Sequence, residues 1–139
     1  MSRLIGFDIG QKRMGVAISD PNRTIASPLA VLDVVELRAD QRGLRRLIED
    51  YEIHSAVVGL PLTMKGEEGP QARQIREFVA DYLAPLGIAI HYIDERLSSK
   101  EAKKAMREAG TSEKEARGRV DMVAAALLLQ TYMDQVRMD

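Results

Sequence analysis

Apolar and polar positions change their spacing along this chain, and the changes divide it into an all-strand beginning and an alternating remainder. Residues 3–9 and 14–19 are short apolar stretches joined by Gly10-Gln11-Lys12-Arg13, with Gly15 just beyond, the pattern of a β-hairpin. Asp20-Pro21-Asn22 makes a second turn. A third strand is expected over 24–32, where Pro28 argues for an edge position or a bulge. The first third therefore reads as an antiparallel meander.

The spacing then becomes helical. Leu44, Leu47, Ile48 and Tyr51 stand at i, i+3, i+4 and i+7 and predict an amphipathic helix with Asp40 as its N-cap. Residues 54–60 form a short apolar strand. Pro70 occupies a first helical position ahead of Ile75, Phe78, Val79, Tyr82 and Leu83, and Pro85 and Gly87 stop that helix. A last strand covers 88–94. Ser98 with Glu101 makes a capping-box pattern before Ala102, Ala105, Met106 and Ala109, and Gly110 closes that helix. Ser112 with Glu115 repeats the capping pattern, Gly118 weakens the middle, and an almost wholly apolar helix runs from about Val120 to Met133. The expected fold is α/β: a five-stranded mixed sheet, three antiparallel strands and then two in α-β-α-β-α alternation, flanked by helices.

At 139 residues with 45% hydrophobic content the chain has the size of one domain, expected over 1–139. Lysine and arginine number 20 against 21 acids, so any surface for nucleic acid must be local. The absence of cysteine removes disulfides, thiolate metal sites and cysteine nucleophiles, and suits a reducing interior. The longest apolar run, MVAAALLL, is far short of a membrane span, and the N-terminus lacks a cleavable signal pattern, so a cytoplasmic protein is expected.

Three acids stand at element edges: Asp8 in LIGFDIG, Glu95 in IHYIDERL and Asp121 in RVDMVAAALLLQ. Strand alternation puts Asp8 on the face of Leu4 and Gly6, away from Ile5, Phe7 and Ile9. Gly6 and Gly10 beside it would leave room for a phosphate or a metal close to the backbone. Asp121 shares a helical stripe with Ala125, Leu128 and Tyr132, an apolar face on which a carboxylate needs a partner. Asp94 and Glu95 face opposite ways, so one of them is expected to enter the site. Glu95 has the longer reach, but alternation alone does not choose. No lysine or arginine partner for the acids is evident, and carboxylates that converge unpaired require a divalent cation to stay ionised. That points to metal-assisted phosphodiester chemistry.

Basic residues cluster nearby. From Arg96 to Arg119 there are eight, among them Lys100, Lys103, Lys104, Arg107 and Arg117, against four acids. With Lys12 and Arg13 beside Asp8, they are candidate phosphate contacts. The loop 61–69, with glycines at 66 and 69, reads either as a cover over the strand ends or as a connector. His54 and His91 have no metal-ligand spacing and read as structural.

The segments FDIGQKRMGVAISD, VVGLPLTMKGEEG, DERLSSKEA and VDMVAAALLLQTYMD resemble, in order and spacing, the four blocks of the YqgF/RuvX family, bacterial pre-16S rRNA nucleases also described as Holliday junction resolvase-like proteins. The resemblance runs almost end to end. It implies an RNase H-like fold, hydrolysis of phosphodiester bonds, and a task in 5′-end maturation of 16S ribosomal RNA. By position, Asp8 resembles the first-strand catalytic aspartate, Glu95 the second acid and Asp121 the helix acid. Two-metal hydrolysis with Mg²⁺ or Mn²⁺ is implied, with nucleic acid and the ribosome as partners. Gln11 and Lys65 depart from the family's usual residues. Related junction resolvases carry a further acid one helical turn on, where this chain has Ala124, so the number of metals stays open.

Other readings remain at this point. A branched-DNA resolvase would need a homodimer to cut two strands symmetrically, and the sequence marks neither a monomer nor a dimer. A ribosome or nucleic-acid binding factor without a competent site is a second. An actin-like ATPase or sugar kinase would need a second domain for which the chain is too short.

Overall fold

The computed structural model describes residues 2–97 and 113–138. Strands β1 (Leu4–Ile9), β2 (Arg13–Ser19) and β3 (Ala26–Asp33) form the expected meander, while β4 (Ser55–Leu60) and β5 (Ala89–Asp94) continue the sheet parallel to β1. The strand order is β3-β2-β1-β4-β5. Pro28 sits on edge strand β3 where the register with β2 shifts between Val16 and Ala17, so it is accommodated by both an edge and a bulge.

A short helix α1 (Val34–Ala39) precedes the first expected one and was hidden by its length. Asp33 caps it by accepting from the Glu36 amide at 3.0 Å. Asp40 is consequently not the cap of α2 (Arg42–Asp50). Gln41 holds that position, and the Asp40 carboxylate is taken by the side chain of Arg42. Pro70 opens α3 (Pro70–Phe78) as expected, and the chain then widens through Val79–Leu83 and tightens through Ala84–Leu86 before Gly87 ends it at φ 79°. The last helix, α4 (Glu113–Met138), is longer than expected at both ends, and Gly118 does not interrupt it. The helix expected over 98–110 lies outside the described residues.

The sheet separates two apolar layers. Ile5, Phe7, Ile9, Val16 and Val58 pack toward α1, α2 and α3, against Leu37, Leu44, Ile48, Ile75 and Phe78. Leu4, Ala17, Val57 and Ile93 pack against Ala125, Leu128, Leu129 and Met133 of α4. Alternation along β1 is what sends Phe7 one way and Asp8 the other, toward α4. Gly6 also faces α4, but the helix already fills the space: a Cβ there would lie 3.0 Å from the Leu129 Cβ and 3.2 Å from the Ala125 carbonyl oxygen. The expected opening for a phosphate at Gly6 is therefore absent, because close helix packing uses it. His91 lies against Tyr132, ring centroids 5.7 Å apart.

Candidate active site

The site grows from the β1–β2 hairpin. Asp8 near the end of β1 pairs across the ladder with Gly15 of β2. Gly15 is where α4 meets the sheet most closely: a Cβ there would stand 1.9 Å from the carbonyl oxygen of Asp121. Only glycine admits that approach, so the hairpin register itself carries Asp121 to Asp8. On the other side, β5 ends at Asp94 opposite Leu60 of β4, and a single tight turn, Glu95–Leu97, comes next. The turn carries Glu95 over Gly59, whose Cβ, if present, would lie 3.6 Å from both Cβ and Cγ of Glu95. From there the Glu95 carboxyl reaches Asp8.

The electrostatics arise from this crowding. Burial, then the hydrogen bond with Glu95, then the Glu95 charge push the Asp8 carboxyl from its ordinary 3.8 up to about 8. Asp8 therefore keeps its proton at neutral pH, with the Glu95 carboxyl beside it. Asp121 is also raised: burial acts first, the nearby Arg13 charge opposes it, and the Asp8 charge adds to it. Asp8 is thus the common neighbour of the other two acids.

One sequence expectation fails here. The acids do have a cationic neighbour: Arg13 Nε lies 2.8 Å from Asp121 Oδ2. The residue that opens β2 is brought beside the helix by the same hairpin that places Gly15. The contact is one of charge more than of hydrogen bonding, since the guanidine N–H is not aimed at the oxygen and Oδ2 is buried without a hydrogen-bond partner among the described residues. The 2.8 Å separation establishes the ion pair; the direction of the N–H denies it full strength.

Asp94 behaves differently from Glu95. Both its oxygens are taken by Arg96, at 3.0 Å from Nε and 2.7 Å from Nη2, and this contact, above all its hydrogen bonds, holds Asp94 below the usual carboxylate range. Arg96 Nη1 also donates to the Thr63 carbonyl at 3.0 Å, tying the loop after β4 to the end of β5. That loop is further closed by Thr63 N–H to the Glu67 carbonyl at 2.8 Å and a bridge between Leu62 and Glu68. It is a fastened turn. Among the described residues no three histidine, aspartate or glutamate side chains stand close enough together to enclose a metal ion.

Of the expected phosphate contacts, Lys12 and Arg119 are exposed, Arg13 is engaged by Asp121, and Arg96 by Asp94 and Thr63. Lys100, Lys103, Lys104 and Arg107, and the side chain of Arg117, lie outside the described residues. The roles of Arg13, Gly15 and Gly59 were missed in the sequence. Counting the hairpin register would have found Gly15, because the turn fixes Asp8 opposite it.

Residues 2–135 match the model of the family described as RuvX, Holliday junction resolvase. The chain belongs to the RuvX family. A relative from Roseiflexus sp. (strain RS-1) is 39% identical over 135 residues, 97% of this chain and 96% of its own, and carries the name "Putative pre-16S rRNA nuclease". Another of that name, from Sulfurihydrogenibium sp. (strain YO3AOP1), is 42% identical over 138 residues, covering 98% of this chain and 92% of its own. Among solved structures, T. thermophilus RuvC in complex with Holliday junction substrate superposes with TM-score 0.58 at 11% identity, covering 98% of this chain and 96% of that one. Fowlpox virus resolvase bound to junction DNA gives 0.55 at 14% identity, covering 96% and 98%. At that identity the likeness speaks for the fold, the RNase H-like fold of the resolvases. Membership in the RuvX family gives a nuclease or junction-resolvase-like role, a hydrolase of phosphodiester bonds.

Proposed function

We propose that this RuvX-family nuclease cuts RNA by metal-assisted hydrolysis at Asp8, Glu95 and Asp121, in the 5′-end maturation of pre-16S ribosomal RNA in the cytoplasm. The observation that carries the reading is the convergence of Glu95 and Asp121 on Asp8. Asp8 beside Glu95 is pushed up to about 8, and Asp121 Oδ2 is buried without a hydrogen bond among the described residues. Arg13 is the one cation in an ion pair with these three acids among the described residues, so the cluster is short of positive charge.

The donor chemistry of Asp8, Glu95 and Asp121 suits a divalent cation, and the three side chains would have to draw together to enclose one. Their donor set is carboxylate oxygen alone, which suits hard ions such as Mg²⁺ or Mn²⁺. Asp8 would be the shared ligand, with Glu95 and Asp121 on either side of it. When bound, such an ion supplies a water nucleophile at neutral pH and neutralises charge on the phosphate. The chain's own part is to release the proton held by Asp8 and to keep the three carboxylates in place through Gly15 and Gly59. Lys12 lies on the hairpin turn beside Asp8 and is positioned to meet the phosphate backbone. Asp94 has a supporting role: with both oxygens on Arg96, it holds the loop that borders the site.

The names of the relatives favour ribosomal RNA; the family description favours a four-way junction. Purified protein is incubated with a 5′-extended ribosomal RNA precursor and, separately, with a four-way DNA junction, each with Mg²⁺, Mn²⁺ or EDTA. Metal-dependent cutting of the precursor at several times the rate of the junction is expected. Preferential cutting of the junction would move the assignment to DNA, and binding of either without cutting would leave a nucleic-acid binding factor.

A further inference from the structure

Beside Glu95, on the opposite side of the sheet from α4, lies a cavity of about 300 Å³ that the proposed chemistry does not use. Its outer wall is one face of α3. Gln71, Gln74, Ile75 and Phe78 recur at i, i+3, i+4 and i+7 and all line it. The face is divided by depth: Ile75 and Phe78 are buried, at 8% and 4% exposure, while the two glutamines are exposed at the mouth. Gln11, on the hairpin turn, adds a third amide from the side of β1. Arg38 of α1 supplies the cation, its guanidinium carbon 5.5 Å from the centroid of the Phe78 ring and 5.8 Å from that of Tyr82. Both rings lie within cation–π reach of the guanidinium, a contact that uses none of its N–H donors.

The chemistry of this lining narrows the ligand. Three neutral amides each offer a donor pair and an acceptor, which matches the mixed donor and acceptor edge of a nucleobase. The apolar floor and planar guanidinium suit the faces of a flat ring. The volume is at the small end of those taken by small-molecule sites, enough for one nucleoside. Glu95 is part of the wall and also touches Asp8, so a base seated here has its own phosphate next to the three carboxylates.

We propose that this cavity holds one unpaired nucleobase of the strand being cut, adjoining the scissile phosphate, and that Gln71, Gln74 and Arg38 recognise it. The inference rests on the reading of Asp8, Glu95 and Asp121 as the cutting site. It adds a requirement that the site's carboxylates alone do not impose: the substrate must present an unpaired nucleotide at the cut, since a base within a duplex cannot enter a concave site.

The test uses the Asp8→Asn protein, which is expected to bind without cutting, and strands carrying the fluorescent base 2-aminopurine at successive positions of an unpaired segment. RNA and DNA versions are titrated in parallel. Expected is one position where fluorescence changes sharply on binding. That change should be lost in the Gln71→Ala/Gln74→Ala and Arg38→Ala forms, with affinity reduced about 10-fold, as for loss of one stacked base. All three substituted side chains are exposed, and a thermal melt verifies that the forms fold. Both forms binding as tightly as the parent, with the same fluorescence profile, would overturn the base pocket while leaving the nuclease reading intact. Failure of the parent to bind either strand would overturn both. The ratio of RNA to DNA affinity at the responsive position tells which sugar the seated nucleotide carries.

Discussion

Replacing Asp8 with asparagine should abolish cutting and yet make the cation-free protein more stable at neutral and alkaline pH. In the unfolded chain Asp8 ionises near its ordinary 3.8, whereas in the folded protein burial and Glu95 delay ionisation to about 8. Between those values the folded state keeps a proton that the unfolded state has lost, so stability falls as pH rises, by about 1.4 kcal/mol per unit. Below 3.8 both states are protonated and nothing is lost; above 8 the loss is complete and constant. The full span of about four units corresponds to about 5–6 kcal/mol. Asp8 is only half-buried, so water offsets part of the penalty and about 2–3 kcal/mol is expected, on the order of 6–9 °C in melting temperature for a domain of this size. Asparagine keeps the shape and cannot ionise. Thermal melts of both proteins in EDTA from pH 4 to pH 9 should therefore coincide near pH 4 and diverge progressively, with Asp8→Asn the higher. Adding Mn²⁺ at pH 8 should raise the wild-type melting temperature, by about 2.7 kcal/mol of stability at 100 times Kd, and leave Asp8→Asn almost unmoved. Parallel curves across the pH range, or equal stabilisation of both proteins by Mn²⁺, would show that Asp8 is not a protonated, half-buried carboxyl that a cation would ionise.

Three further outcomes are expected. Glu95→Gln should lower the cleavage rate more than about 100-fold, while Asp94→Asn should lower it less than about 10-fold and act through the loop, seen as faster proteolysis near Thr63; the reverse ranking in a cleavage assay would make Asp94 the ligand. Gly15→Ala should destabilise the fold by about 3 kcal/mol or more in urea titrations, because the new Cβ meets a backbone carbonyl that cannot step aside, and wild-type stability would show that α4 does not depend on that approach. Arg13→Gln should tighten Mn²⁺ binding, measured by calorimetry without nucleic acid, by about 2- to 5-fold, since a half-exposed ion pair worth about 0.2–1 kcal/mol no longer competes for Asp121; weaker binding would mean that Arg13 orients Asp121 for the metal.

The sheet was legible because its signals are local. The glycine turn at 10–13, Pro28 at an edge and the alternation in β1 each state their own geometry, and they place Asp8 on the face opposite Phe7 before any contact is known. Helix α1 was not legible: six residues are too few for a periodic signal, and its presence reassigned Asp40 from cap to ion-pair partner. The site was half legible. Asp121 on a stripe with Ala125 and Leu128 required it to face inward, and Ala125 and Leu128 are fully buried. Its ion pair with Arg13 depends on how far α4 descends onto Gly15, a packing distance that no sequence spacing encodes. The cavity at Gln71 and Gln74 escaped for a related reason. Its wall is an ordinary amphipathic helix face, and only the meeting of α3 with Gln11, Arg38 and Glu95 makes it a site.

Whether Asp8 and Asp121 cut RNA is decided by single-turnover cleavage of the 5′-extended ribosomal RNA precursor by wild-type, Asp8→Asn and Asp121→Asn proteins, in Mn²⁺ and in EDTA. The account predicts cutting by the wild type in Mn²⁺ alone, and in neither variant under either condition. Cutting that survives EDTA, or that persists in Asp8→Asn, would contradict it.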